Sequence, residues 1–173
     1  MEMSEDCLNV FCEDERWKSL LSVGISQKVF DNALSYLKKN DLGLDIGFEK
    51  PIEINLSLSC DDDVHHLNAS FRGIDKPTNV LSFANVDSET FFDEISLADR
   101  IELGDIIIAV ETLQREADQK HILPEHHYAH LLIHGILHLF GYDHQTDEEA
   151  DEMESIEIDV LKELGISNPY EAE

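Results

Sequence analysis

Seven of the nine histidines lie between His121 and His144, and the residues around them are patterned for one half-buried helix. Pro124 suits the first turn of such a helix and Gly141 suits its exit. At 100° per residue, Ala129, Leu132, Ile133, Ile136, Leu139 and Phe140 share one face. His127, His130, His134 and His138 share the other. His134 and His138 are four residues apart, so their rings project from the same side of the helix one turn apart. Gly141 lets the chain turn sharply, and His144 can then return to the same point. Three imidazole nitrogens with an open fourth position suit a catalytic divalent metal. The competing reading is a solvated, histidine-rich helix face. His127 and His130 are expected to be solvated or to support the three ligands, and His65, His66, His121 and His126 to lie on the surface.

The chain has 173 residues and a mass of 19.7 kDa, which suits one domain spanning 1–173. With 42% hydrophobic residues it can build a core. Its formal net charge is −26, which argues against a protein that coats nucleic acid through a broad basic surface. A local positive site remains open. Cys7, Cys12 and Cys60 show no metal-knuckle spacing and no even set, so a reducing cytoplasm is the simpler setting. The acidic start, Met1 to Asp6, lacks the basic and apolar segments of a secretory signal. No stretch approaches the length of a membrane span.

Cys7 to Phe11 reads as a short strand. Ser26 is the expected cap of a helix to Lys39. Ile52, Ile54, Leu56 and Leu58 alternate with polar residues and predict a strand buried on one face. Asp61 to Asp63 are expected to cap a helix toward Phe71, and Asn79 to Phe83 reads as another strand. Residues 87–102 hold six acids and one arginine, and are expected to form an exposed loop with at most a short helical turn. The apolar run Ile106 to Val110 predicts a strand covered on both faces. Helical patterns follow at 111–120, 125–140 and 147–164. The expected fold is α/β (α+β): one small mixed sheet of about four strands, packed with about five to six helices, including a zincin-like metal helix.

The run from His134 to His144, HGILHLFGYDH, resembles the H-G-x-L-H-x-x-G-Y-D-H signature of the YbeY family of endoribonucleases. Leu67-Asn68 and Arg72 to Phe83 are similar to that family's second motif, and Leu103 to Ile106 to a third. Met153 through Asn168-Pro169-Tyr170 is similar to its end. Many members carry Asp at the position of Asn79. The resemblance implies a bacterial, cytoplasmic, metal-dependent, single-strand-specific endoribonuclease. It would act in 16S rRNA 3′-end maturation and ribosome quality control. It implies zinc, or nickel or another divalent ion, on His134, His138 and His144, with Arg72 on the substrate side. Implied partners are RNA of the small ribosomal subunit and a ribosomal protein or GTPase assembly factor, with neither DNA nor membrane.

Read from the residues, Arg72 adds positive charge if it faces the metal, and is otherwise a structural ion pair. The spacing is also close to the protease signature H-E-x-x-H-x-x-G-x-x-H, but Gly135 replaces the glutamate that serves as general base there. Glycine at that point leaves room for a phosphate or packs tightly against a neighbour. Asp143 either orients a ligand ring or bonds its own backbone in a turn. Thr78, Asn79 and Ser82 offer polar groups near the cleft, and Lys76, Arg115 and Lys120 join Arg72 as candidate RNA contacts. Glu157 falls inside the apolar stripe Ala150, Met153, Val160, Leu161 and Leu164. A carboxylate there is expected to accept a hydrogen bond from a histidine, an arginine or a helix N-terminus. The alternative functions are a non-catalytic ribosome-assembly factor with a structural metal, and a metzincin-like metalloprotease.

Overall fold

Alternation of Ile52, Ile54, Leu56 and Leu58 with Glu53, Asn55 and Ser57 makes strand β2 (Ile52–Ser59), whose apolar side is buried. In the computed structural model, which describes residues 6–171, β2 is flanked by β1 (Cys7–Cys12) and β4 (Ile101–Ala109). Both pair with it in parallel. Strand β3 (Val80–Ala84) closes the order β1-β2-β4-β3 and runs antiparallel to β4. The acidic start read in Met1–Glu5 lies outside the described residues.

Helices α2 (Ile25–Lys39), α6 (Pro124–Leu139) and α7 (Asp147–Glu163) contribute Leu37, Ile133 and Val160 to the main core. Ile54, Leu56, Ile106 and Ile108 face them from the sheet. Fully burying each such side chain contributes about 1.5–3 kcal/mol. On the other face, α3 (Asp61–Arg72) packs Val64 and Leu67 against Leu81, Phe83, Ile107 and Ala109. The run at 106–109 is thus covered on both sides. Helix α5 (Val110–Lys120) follows β4 directly.

Several local expectations are corrected. Helix α2 starts at Ile25 with Gly24 as its cap. Ser26 Oγ instead pairs with the Tyr128 hydroxyl at 2.6 Å. Cys60 occupies the cap position of α3. Asp61 reaches across to the start of α5, accepting from Thr112 N (3.1 Å) and Thr112 Oγ1 (2.7 Å). Glu111 accepts from Asp61 N in return (2.9 Å), so two helix starts cap each other. Residues 87–102 are more ordered than a loop, because Phe91 is buried and anchors helix α4 (Phe91–Leu97). Strand β4 begins at Ile101, five residues earlier than its apolar run. A short helix α1 (Arg16–Leu20) was not foreseen. Its one buried residue, Trp17, donates Nε1–H to Ser59 O at 2.9 Å. Among the described residues no helix is long and apolar enough to cross a membrane.

Candidate metal centre and its cleft

Helix α6 crosses the sheet with Gly135 against β4. A Cβ at 135 would lie 3.0–3.3 Å from three carbons of Ile106. The glycine therefore serves close helix–sheet packing. A glutamate there would point into the sheet, away from the histidine face.

The helix ends in a turn built on Gly141, whose φ of +104° is a conformation that side-chain-bearing residues rarely adopt. Gly141 N bonds His138 O (3.0 Å) and Tyr142 N bonds Leu137 O (3.0 Å). This turn carries His144 back against the helix, where its ring stacks on His134 with centroids 5.5 Å apart. One nitrogen from each of His134, His138 and His144 lies within 4.8 Å of the others.

Two of the rings are held by their far nitrogens. His138 Nδ1–H donates to Tyr142 O at 2.9 Å. His134 Nδ1–H donates to Glu157 Oε2 at 3.0 Å. Both Nε2 atoms are then free to act as acceptors and approach each other to 3.0 Å. Two nitrogens of a tetrahedral zinc site lie roughly 3.3 Å apart. The His134–His138 pair therefore fits a divalent ion with a shift of a few tenths of an ångström, and His144 offers the third nitrogen within 4.8 Å. Burial holds the His138 imidazole below its ordinary pKa, with His134 adding to the effect, and so favours the neutral, metal-binding form.

Glu157 is fully buried (0% exposed) and satisfied from three sides. Besides His134, it accepts from His130 Nε2–H (2.6 Å) and from the Tyr170 hydroxyl (2.6 Å), both at Oε1. Burial pushes its pKa up, but the hydrogen bonds from His130 and His134 outweigh this and hold it at about 2. Burial and the neighbouring carboxylate push the Tyr170 hydroxyl well above its usual range. His130 is 8% exposed and His127 1%, so neither is solvated. His127 Nε2–H donates to Glu116 Oε1 at 2.8 Å. His66 and His121 are exposed, while His65 and His126 are half-buried.

Beside the histidines opens a cleft of about 680 Å³ that is also lined by Arg72, Lys76, Thr78, Asn79 and Ser82. Arg72 ends α3, where a cation suits the helix dipole. Its Nη2 donates to Ser82 O (2.7 Å), and its guanidinium lies 5.6 Å from the centre of the Phe83 ring. No carboxylate pairs with it among the described residues. Asn79 is not free for a ligand: Nδ2 donates to Glu116 Oε1 (2.9 Å), and Oδ1 accepts from Val80 N (2.7 Å). Asp143 lines the cleft and caps the turn, accepting from His144 N at 2.8 Å. Its Oδ1 is 3.9 Å from His144 Nδ1, too far for a hydrogen bond. Two of the four expected cations stand elsewhere. Arg115 pairs with Asp61 (2.9 Å), and Lys120 lines a separate cavity with His121 and His126.

Sequence reasoning gave no role to Glu116, and none to Tyr170 beyond its place in the stretch similar to the family's end. Glu116 had the signal that exposed Glu157, since it follows Leu113 by three residues and sits beside the buried stripe of its helix. Tyr170 lies beyond the last helix, where no periodicity could place it.

The sequence model of the family described as Endoribonuclease YbeY matches residues 12–165. A protein named Endoribonuclease YbeY from Rhodopseudomonas palustris is 52% identical over 118 residues, covering 68% of this chain and 60% of that protein. One of the same name from Nitrobacter hamburgensis is 53% identical over 118 residues, covering 68% and 61%. Another from Acinetobacter baumannii is 42% identical over 127 residues, covering 73% and 78%. The match thus spans about 60% of the length of the first two relatives. A solution structure of a Thermotoga maritima protein has the same fold, with a TM-score of 0.55 and 23% identity, covering 96% of this chain and 100% of that one.

Proposed function

The chain belongs to the YbeY family, and from that membership we propose that it is a metal-dependent endoribonuclease cutting single-stranded RNA. The observation that carries this reading is that Arg72 shares one cleft with His134, His138 and His144. Arg72 and Lys76 offset Asp87 and Asp143 in the lining of that cleft, so a divalent ion on the three imidazoles would make it the focus for a phosphodiester in a chain of net charge −26.

His134, His138 and His144 would hold the ion, with zinc the first choice and nickel or another divalent metal suited to the same imidazoles. A divalent ion there supplies Lewis acidity toward a phosphoryl oxygen and toward water. Glu157 and the Tyr142 carbonyl orient two of the three rings and make their Nε2 atoms better donors to a metal. Arg72 is braced by Ser82 O and the Phe83 face, which leaves its remaining N–H groups to fork onto phosphate oxygens as charge builds in the transition state. The position of a protease's glutamate is taken by Gly135, packed on Ile106, which disfavours peptide hydrolysis.

The substrate we infer is the 3′ region of 16S rRNA in late maturation and quality control. The setting is the cytoplasm, with the small ribosomal subunit and a ribosomal protein or GTPase as partners. The test is cleavage of a short 3′-terminal 16S rRNA fragment by highly purified wild type, His138→Ala and Arg72→Ala, with metal content measured on each. We expect Arg72→Ala to keep its metal and lose about 10²–10³-fold in rate, and His138→Ala to lose both. Equal cleavage by all three would mean a contaminating nuclease. Metal-loaded wild type without cleavage would favour the assembly-factor reading.

A further inference from the structure

Phe71 is 71% exposed, although it ends the apolar stripe that α3 buries through Val64 and Leu67. It immediately precedes Arg72 in the chain. Its ring meets Phe83 edge-on, with centroids 5.7 Å apart and planes at 71°. Phe83 is itself covered on its face by the Arg72 guanidinium. The three side chains are braced on one another, and a large part of the Phe71 ring is left in water. Ile74, 43% exposed, continues the apolar rim into the cleft.

We propose that Phe71 is a base-stacking subsite that takes the unpaired base of a nucleotide whose phosphate is held at Arg72. This inference rests on the ribonuclease reading above. The sparse positive charge favours such a subsite. Phosphate neutralisation is the usual source of RNA affinity, yet among the described residues Arg72 and Lys76 are the two Lys or Arg side chains lining this cleft, beside Asp87 and Asp143, in a chain of net charge −26. Stacking on an aromatic ring adds affinity without a cation and tolerates any base. It also requires a base free of its helix, so the subsite selects single strands over duplex. The brace from Phe83 fixes the ring before RNA arrives, and little side-chain freedom remains to be lost on binding. A protein partner could cover an exposed phenylalanine as well. The adjoining guanidinium and histidine cleft favour a nucleotide, which offers a ring and an anion one step apart.

The experiment measures kcat and KM of the metal-loaded protein on a single-stranded oligoribonucleotide. Wild type, Phe71→Ala, Phe71→Leu and Phe71→Trp are compared at two salt concentrations. The expected result is a KM raised about tenfold in Phe71→Ala, in line with the loss of one stacked base. Its kcat should stay within about twofold and its salt dependence should be unchanged. Phe71→Trp should restore KM, and Phe71→Leu should not. A 2-aminopurine in the oligonucleotide should be quenched on binding wild type and Phe71→Trp, but not Phe71→Ala. An unchanged KM in Phe71→Ala, or rescue by leucine equal to that by tryptophan, would overturn the subsite while leaving the nuclease reading intact. Wild type that neither binds nor cuts the oligonucleotide would remove the nuclease reading and the subsite with it.

Discussion

His138 donates Nδ1–H to the carbonyl of Tyr142, 2.9 Å away, so the turn that returns His144 also fixes the ring of His138. Two of the three candidate ligands therefore depend on one backbone conformation, centred on Gly141 at φ +104°. Gly141→Ala should cost about 1–3 kcal/mol from strain at that position. It should also weaken zinc binding more than its loss of stability accounts for, because the carbonyl and His144 move together. Competition with a chromophoric chelator checks the affinity and thermal melting of the metal-free protein checks the strain. Unaltered zinc affinity in a folded variant would show that the turn does not set the site.

Glu157→Gln should weaken zinc binding about 10–100-fold, the usual effect of removing a carboxylate that orients a ligating histidine. Acid stability gives a second readout. The carboxyl protonates near 4.5 in the unfolded chain and at about 2 in the folded protein. Between those values the unfolded state binds more protons, so stability falls as pH drops through them. In urea titrations of metal-free protein, the wild-type advantage over Glu157→Gln should be full above pH 4.5 and shrink toward pH 2. An advantage that stayed constant with pH would mean the carboxylate is not held as its hydrogen bonds indicate.

Asn79→Asp should destabilise the protein at neutral pH. Asn79 Nδ2 donates to Glu116 Oε1, which also receives His127. An aspartate would set two carboxylates together and remove a donor, at a cost of about 1–3 kcal/mol. One shared proton would relieve this, so the deficit should narrow as pH falls from 7 to 5. Melting temperatures at the two pH values measure it. An aspartate tolerated equally at both would mean that Glu116 draws its support from His127 alone.

Gly135→Ala should lower stability by about 1 kcal/mol net. Overpacking against Ile106 costs about 1–3 kcal/mol, and the better helix former returns about 1 kcal/mol. Gly135→Glu should fail to fold rather than gain peptidase activity, since its carboxylate would be buried in the sheet interface. Urea midpoints for the first and casein hydrolysis for the second check both. A folded, caseinolytic Gly135→Glu would reverse our view of why the glycine is there.

The histidine helix was legible because its periodicity, its Pro124 start and its Gly141 exit agree. Glu157 was legible for a related reason: a carboxylate inside an apolar stripe implies a partner. The identity of that partner was not readable, because His130 and Tyr170 reach Glu157 from 27 residues before it and 13 after it. Local signals also misled where tertiary contacts took over. Asp61 looks like a cap for its own helix and caps α5 instead. The acids of 87–102 masked Phe91, whose burial gives that segment its helix. Arg115 and Lys120 counted as possible RNA contacts until the fold directed one to Asp61 and the other to a different cavity.

Glu157 and Tyr170 are synthesised after all three histidines. A chain cut short before Glu157 would keep His134, His138 and His144 and lose the carboxylate that aims His134. The three ligands and the group that orients one of them thus come from separate stretches of chain, and the ion-holding geometry is complete only with the last helix packed onto α6.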